Sequence, residues 1–133
     1  MAVIVSNTNS APRIDPGNYI VELRRVGKVE VNDFDNPGQK AERIQLTFVI
    51  CEHPRWGSAE FADLCTEFFG PRSKLGQILT ALNNGVPIPS GQIDLETFVG
   101  RRMQATVRRT DTGYNRVVPE TALPLDRMDQ RIT

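Results

Sequence analysis

Only one histidine, His53, and two cysteines, Cys51 and Cys65, occur in the 133 residues of this chain. The residues on which most enzymes and metal centres rely are therefore scarce. The three do not fall in the paired Cys-x-x-Cys spacing and a fourth ligand is missing, so small buried thiols are a better account than a zinc site. Two cysteines make no disulfide framework either, and free thiols in a reducing compartment are expected. No Gly-x-Ser-x-Gly elbow and no phosphate-cradling Gly-x-x-x-x-Gly-Lys loop is present, and a nucleophile–histidine pair would have to be built on His53 alone. Neither catalysis nor a metal or cofactor is expected. Net charge is also lacking: sixteen basic and sixteen acidic residues cancel. No global field draws in a polyanion, which leaves only a local patch to do so. No apolar stretch approaches membrane length, and the start, Met1-Ala-Val-Ile-Val-Ser6, has neither the basic region nor the length of a signal peptide. The expectation is a soluble cytoplasmic protein with no membrane partner and no small-molecule substrate.

What is present is a regular alternation of short patterned segments. An apolar fraction of 39% with ten glycines is ordinary for a globular chain, and the length suits a single domain. Residues 18–31 read as a long first strand with Tyr19, Val21 and Leu23 on one face. Gly27 inside it predicts a bulge or bend there. In the second strand Ile44, Leu46, Phe48 and Ile50 alternate with Arg43, Gln45, Thr47 and Val49. Residues 59–69 read as a weaker third strand, because both of its faces mix apolar and polar residues. Leu75, Ile78, Leu79 and Leu82 then recur at helical spacing between a capping Ser73 and a stop at Asn84-Gly85. A turn capped by Asp94 follows. A fourth strand over 101–109 places Met103, Ala105 and Val107 inward, and a short fifth spans 116–120.

Three strands, a helix and two strands is the element order of the five-stranded OB barrel. The fold expected is all-β with one short helix, an OB-like barrel carrying an amphipathic helix between strands 3 and 4. Residues 1–16 form an arm, 17–122 the barrel domain and 123–133 a polar tail.

That order gives the loops a meaning. In OB folds the strand 2–3 face and the loops joining strands 1–2 and 4–5 hold oligonucleotides. Here those loops carry Phe34 and Tyr114, and the strand 2–3 loop carries Trp56. Aromatic rings so placed offer stacking platforms for bases, or alternatively plug the barrel ends. Lys40, Arg43, Arg55, Arg108, Arg109 and Arg116 lie near enough in sequence to supply phosphate contacts. Residues 101–116 hold five arginines against one aspartate, whereas residues 52–70 hold four acids against one arginine, so a neutral chain can still present one basic face. Arg72 and Lys74 oppose the helix dipole and read either as solvated or as part of an anion site. Asp33 and Asp35 can be drawn as carboxylates for a divalent cation, but the string around them is turn chemistry.

The first strand Tyr19-Ile-Val-Glu-Leu23, the Ser73-Lys-Leu-Gly76 helix start running into Leu79-Thr-Ala-Leu82, then Ile93-Asp-Leu95 and Val99-Gly-Arg-Arg102 resemble small bacteriophage and prophage proteins. Several of these are similar to OB-fold single-stranded DNA-binding proteins. The resemblance spans about residues 18–119 and implies a role in phage replication or recombination, in the bacterial host cytoplasm, with oligomerisation. The ending, from Asp126 to Thr133, departs from the acidic tails of bacterial single-strand binders. The functional expectation is a single-stranded DNA-binding protein without chemistry. The alternative is a non-enzymatic phage assembly module whose partners are proteins.

Overall fold

A strand whose alternate residues are large and apolar must bury one face, and the longest such run organises the chain. The computed structural model describes residues 14–32, 36–89, 91–110 and 113–125. Five strands form one antiparallel sheet: β1 (Gly17–Asn32), β2 (Lys40–Cys51), β3 (Glu60–Cys65), β4 (Arg102–Arg109) and β5 (Asn115–Pro124). Their order across the sheet is β3-β2-β1-β4-β5. Helix α1 (Lys74–Leu82) follows β3, and a 3-10 turn over Leu95–Phe98, capped by Asp94, precedes β4. Among the described residues no helix is long and apolar enough to cross a membrane.

The core is built from the inward columns of the strands. Val21 and Leu23 of β1, Leu46, Phe48 and Ile50 of β2, Met103, Ala105 and Val107 of β4, and Val117 of β5 are buried. Ile14, inside the arm expected over 1–16, is fully buried among them, and Tyr19 Oη donates to the Asp15 carbonyl at 2.6 Å. The packed domain therefore begins before Gly17. At the other end β5 runs to Pro124, two residues beyond the expected domain edge.

Helix α1 packs on β4 and β5. A nine-residue helix is too short to persist alone, so tertiary burial must hold it. Leu75, Ile78, Leu79 and Leu82 are all buried, each stabilising by about 1.5–3 kcal/mol. The cap adds about 1 kcal/mol: Ser73 Oγ accepts from Gly76 N at 2.9 Å. Asn84 and Gly85 both take positive φ at the stop, as expected.

Three details differ from the sequence reading. The bulge in β1 lies between Leu23 and Arg25, while Gly27 pairs regularly with Gln45 and has open space around it. Arg24 is the inserted residue. It falls where β1 leaves β4, whose pairing covers only Gly17–Glu22. Second, β3 stops at Cys65, four residues earlier than expected. Third, the expected barrel is not closed by a ladder: among the described residues no backbone pairing joins β3 to β5. The physical reason is a side chain. Asp63 sits in the inward column of β3 between Phe61 and Cys65, opposite Leu46. Its Oδ2 accepts the Val117 N–H of β5 at 2.7 Å, and its Oδ1 accepts Lys74 Nζ at 2.7 Å and its own neighbour Leu64 N at 2.9 Å. A carboxylate thus stands where a strand-to-strand backbone bond would be.

Asp63→Ala is expected to lower the unfolding free energy by about 3–5 kcal/mol, because it leaves the Lys74 ammonium buried without its counter-charge. Asp63→Asn, which still accepts from Val117, costs less; urea unfolding of both variants checks this. Gly76→Ala is expected to destabilise although alanine is the better helix former by about 1 kcal/mol. A Cβ at Gly76 would stand 2.0 Å from the Gly70 carbonyl oxygen, so the thermal midpoint falls where propensity alone would raise it.

Candidate nucleic-acid interface

The seam between β3 and β5 opens into a groove of about 430 Å³, lined among others by Leu64, Lys74, Tyr114 and Arg116. Local chemistry fixes the turn that presents Tyr114. Thr110 N donates to the Tyr114 carbonyl at 2.8 Å, Gly113 N donates to the Thr110 carbonyl at 2.9 Å, and Thr110 Oγ1 accepts from Tyr114 N at 3.1 Å. Gly113 takes φ +92°, a conformation that suits glycine. The backbone of Tyr114 is thus bonded to Thr110, while the residue is 71% exposed.

Arginines surround this ring. Arg108 of β4 and Arg116 of β5 are directly opposite in the ladder, and Arg109 is opposite Asn115. Like charges facing each other across a ladder are unfavourable. Among the described residues none of Arg108, Arg109 and Arg116 has a carboxylate partner. Elsewhere several cations are neutralised, Arg25 by Glu60, Lys28 by Glu67, Arg55 by Asp15, and Arg102 by both Glu22 and Glu52, whereas Arg24, Lys40, Arg43, Arg72 and Arg101 also lack a carboxylate partner among the described residues. The hydrogen bond to Glu22 holds the Arg102 guanidinium above its ordinary pKa.

On the outer face of the sheet Leu64 pairs with Gln45, and Arg43 lies two residues along β2 on the same face. Leu64 is 42% exposed, an apolar side chain on the side where alternation would place a polar one. Thr47 and Val49, also on that face, are buried; the register lays the Arg25–Glu60 ion pair across β2 beside them.

The expected site residues thus divide. Tyr114 and Arg116 share the groove, with Arg108 and Arg109 beside it and Arg43 one register step from Leu64. Lys40 is exposed at the start of β2 and donates to Asn32 Oδ1 at 3.0 Å. Arg55 and Trp56 lie in a separate cluster. Trp56 packs against the core, its backbone N–H donates to His53 Nδ1 at 2.9 Å, and the Arg55 guanidinium stands 4.9 Å from its ring centroid. His53 in turn lies against the Tyr19 ring, tilted by 57° with the centroids 5.1 Å apart. Phe34, Asp33 and Asp35 lie outside the described residues. Lys74 is bound to Asp63 and is a structural cation, while Arg72 is exposed. Leu64 and Asp63 escaped the sequence reading, although the mixed polarity of residues 59–69 was their signal.

Further grooves lie elsewhere among the described residues. One, of about 520 Å³, is lined by Arg24, Cys51, Glu52, His53 and Arg102 among others. The second, of about 400 Å³, is apolar and holds Phe68, Phe69, Pro71 and Ile88. Among the described residues no three His, Cys, Asp or Glu side chains group as a metal set. No family model matches the chain, and no curated protein matches it.

Burial pushes the Cys65 thiol up to about 12, with the nearby Lys74 ammonium offsetting only part of that, and burial also raises Cys51. Only the thiolate reacts with aromatic disulfides. At pH 8 Cys65 is therefore expected to stay unlabelled in the folded protein and to react on unfolding, with Cys51 labelling more slowly than free cysteine; a labelling time course followed by mass spectrometry checks both.

Proposed function

We propose that the chain is an OB-like barrel, its seam bridged by Asp63, that binds single-stranded DNA without acting on it. The reading rests chiefly on one observation: an exposed tyrosine on a fixed turn beside three arginines that lack carboxylate partners among the described residues. Bases stack on Tyr114 and pack on Leu64, while Arg108, Arg109, Arg116 and Arg43 meet phosphates. An interface of this kind is local, which reconciles polyanion binding with a net charge of zero. The resemblance of the helix start and strand ends to small phage proteins supports a phage or mobile-element origin and a place in replication or recombination. No metal or cofactor is needed for such a role.

A second reading, an assembly module that binds protein, is favoured by Phe68, which is 70% exposed beside the apolar groove. The two separate cleanly. With a fluorescent oligo-dT, anisotropy is expected to report binding that weakens with salt, since phosphate contacts release counterions. Tyr114→Ala should cost about 1–3 kcal/mol, the worth of one stacked base. Replacing Arg108, Arg109 and Arg116 together by alanine should flatten the slope of log K against log salt by about 2, from roughly 0.7 per phosphate contact on a single strand. Binding unchanged by Tyr114→Ala, or no binding by folded protein at low salt, overturns the DNA reading. Loss of partner capture on Phe68→Ala would then support the protein-binding one.

A further inference from the structure

Among the described residues, the second half of β1 has an open edge. β4 covers Gly17–Glu22, and the last bonds on that side are Leu23 N to the Arg101 carbonyl and Gly100 N to the Leu23 carbonyl. Among the described residues, the strand from Arg25 to Asn32 pairs only with β2. The register says which groups lie on the open side. In β2, Ile50 exchanges hydrogen bonds with Ala59 and Ser58 on the β3 side, so Ile44, Leu46, Phe48 and Ile50 point their polar groups to β3. The odd residues of β2 point theirs to β1, where they meet Arg25, Gly27, Val29 and Val31. The N–H and C=O groups of Val26, Lys28, Glu30 and Asn32 therefore face outward, with no strand beside them among the described residues.

We propose that this edge pairs with the same edge of a second copy, antiparallel about a two-fold axis at Val29, to form a homodimer. A two-fold normal to the sheet keeps side chains on their own faces, so residues of like parity pair. Three such registers centre within the segment 28–30. Centring on Lys28 sets lysine against lysine, and centring on Glu30 sets glutamate against glutamate. Centring on Val29 sets valine against valine and each Lys28 against the second copy's Glu30, as a pair that exchanges both backbone hydrogen bonds. Charge thus selects one register and rejects its neighbours on either side.

A second observation points the same way. Within its own hairpin Glu30 faces Glu42, an unfavourable like-charge pair, and no cation bonds to Glu30 among the described residues. The second copy's Lys28 comes opposite Glu30 on the side away from Glu42; in the single copy that lysine holds only an exposed ion pair to Glu67 at 3.4 Å, which is worth little in water. Val26, Val29 and Val31 are half-buried in the single copy, an apolar content unusual for an edge left to solvent. The dimer joins β3-β2-β1 of both copies into one continuous sheet. It is independent of any ligand in the Tyr114 groove.

Sedimentation equilibrium across the micromolar range tests this. The wild-type mass is expected at twice 14.9 kDa. Glu30→Pro removes an N–H from the open edge only and spares the β1–β2 ladder, so it should give single copies with an unchanged circular dichroism spectrum. Lys28→Glu and Glu30→Lys should each dissociate the dimer, and the double exchange K28E/E30K should restore it. Glu30→Lys also removes the Glu30–Glu42 repulsion, so the single copy should keep the wild-type circular dichroism spectrum and a cooperative melt, which distinguishes lost association from lost folding. A wild-type mass of one copy overturns the proposal. So does a dimer that survives both Glu30→Pro and the single reversals, or one that the double exchange fails to restore.

Discussion

The structure turns on the carboxylate of Asp63. It occupies a core-facing position of β3, between Phe61 and Cys65, and it is one of very few polar groups there. A buried ion pair is a poor source of net stability, because desolvation consumes most of the attraction. Its value is in what it fixes. One carboxylate holds Lys74 at the start of α1, the Val117 N–H of β5 and the N–H of Leu64. Strand, helix and far edge of the sheet therefore share one bonded group, and any rearrangement of the seam leaves a buried charge uncompensated. The groove that presents Tyr114 is lined by the same Asp63 and Lys74. The structural keystone is the floor of the candidate site.

This explains which parts of the chain could be read without a structure. β2 was legible because its inner column is uniformly apolar from Ile44 to Ile50, and α1 because its stripe, cap and stop agree. β3 was not, since an aspartate in the inner column and a leucine in the outer one cancel the alternation that defines a strand. Both departures have causes that sequence spacing does not carry: Asp63 answers groups fifty-four residues away in β5 and eleven away in α1, and Leu64 lines the groove. The bulge was misplaced for a related reason. Gly27 is the residue that local rules mark, but the register breaks at Arg24, where β1 parts from β4, and that parting is set by the length of another strand.

Of the candidate site, the arginines of β4 and β5 were visible as a charge imbalance, but their selection was not. β4 carries arginine at both ends with opposite fates. Arg102 lies between Glu22 and Glu52, whereas Arg108 lies opposite Arg116. A surface pays for like charges set face to face, so their persistence at one end of a neutral chain marks the place where an anion would relieve them. Trp56 illustrates the converse. Its ring was an attractive platform by type and loop, yet it packs on the core with Arg55 over it, and its backbone N–H is held by His53. Exposure distinguishes Tyr114 from it.

The insertion of Arg24 connects the two halves of β1 and, through them, the two proposed surfaces. Before it, Tyr19, Val21 and Leu23 face the core and direct their polar groups toward β4. After it the phase is reversed: Val26 comes opposite Leu46, and the even residues direct their polar groups away from β2. Without the inserted residue, the open edge would offer the backbone of Gly27, Val29 and Val31, and no register centred on Val29 would exchange bonds between Lys28 and Glu30. A one-residue slip in a strand moves every side chain to the other face. Here the slip is built in, so that one strand serves the core in its first half and a charged, self-complementary edge in its second.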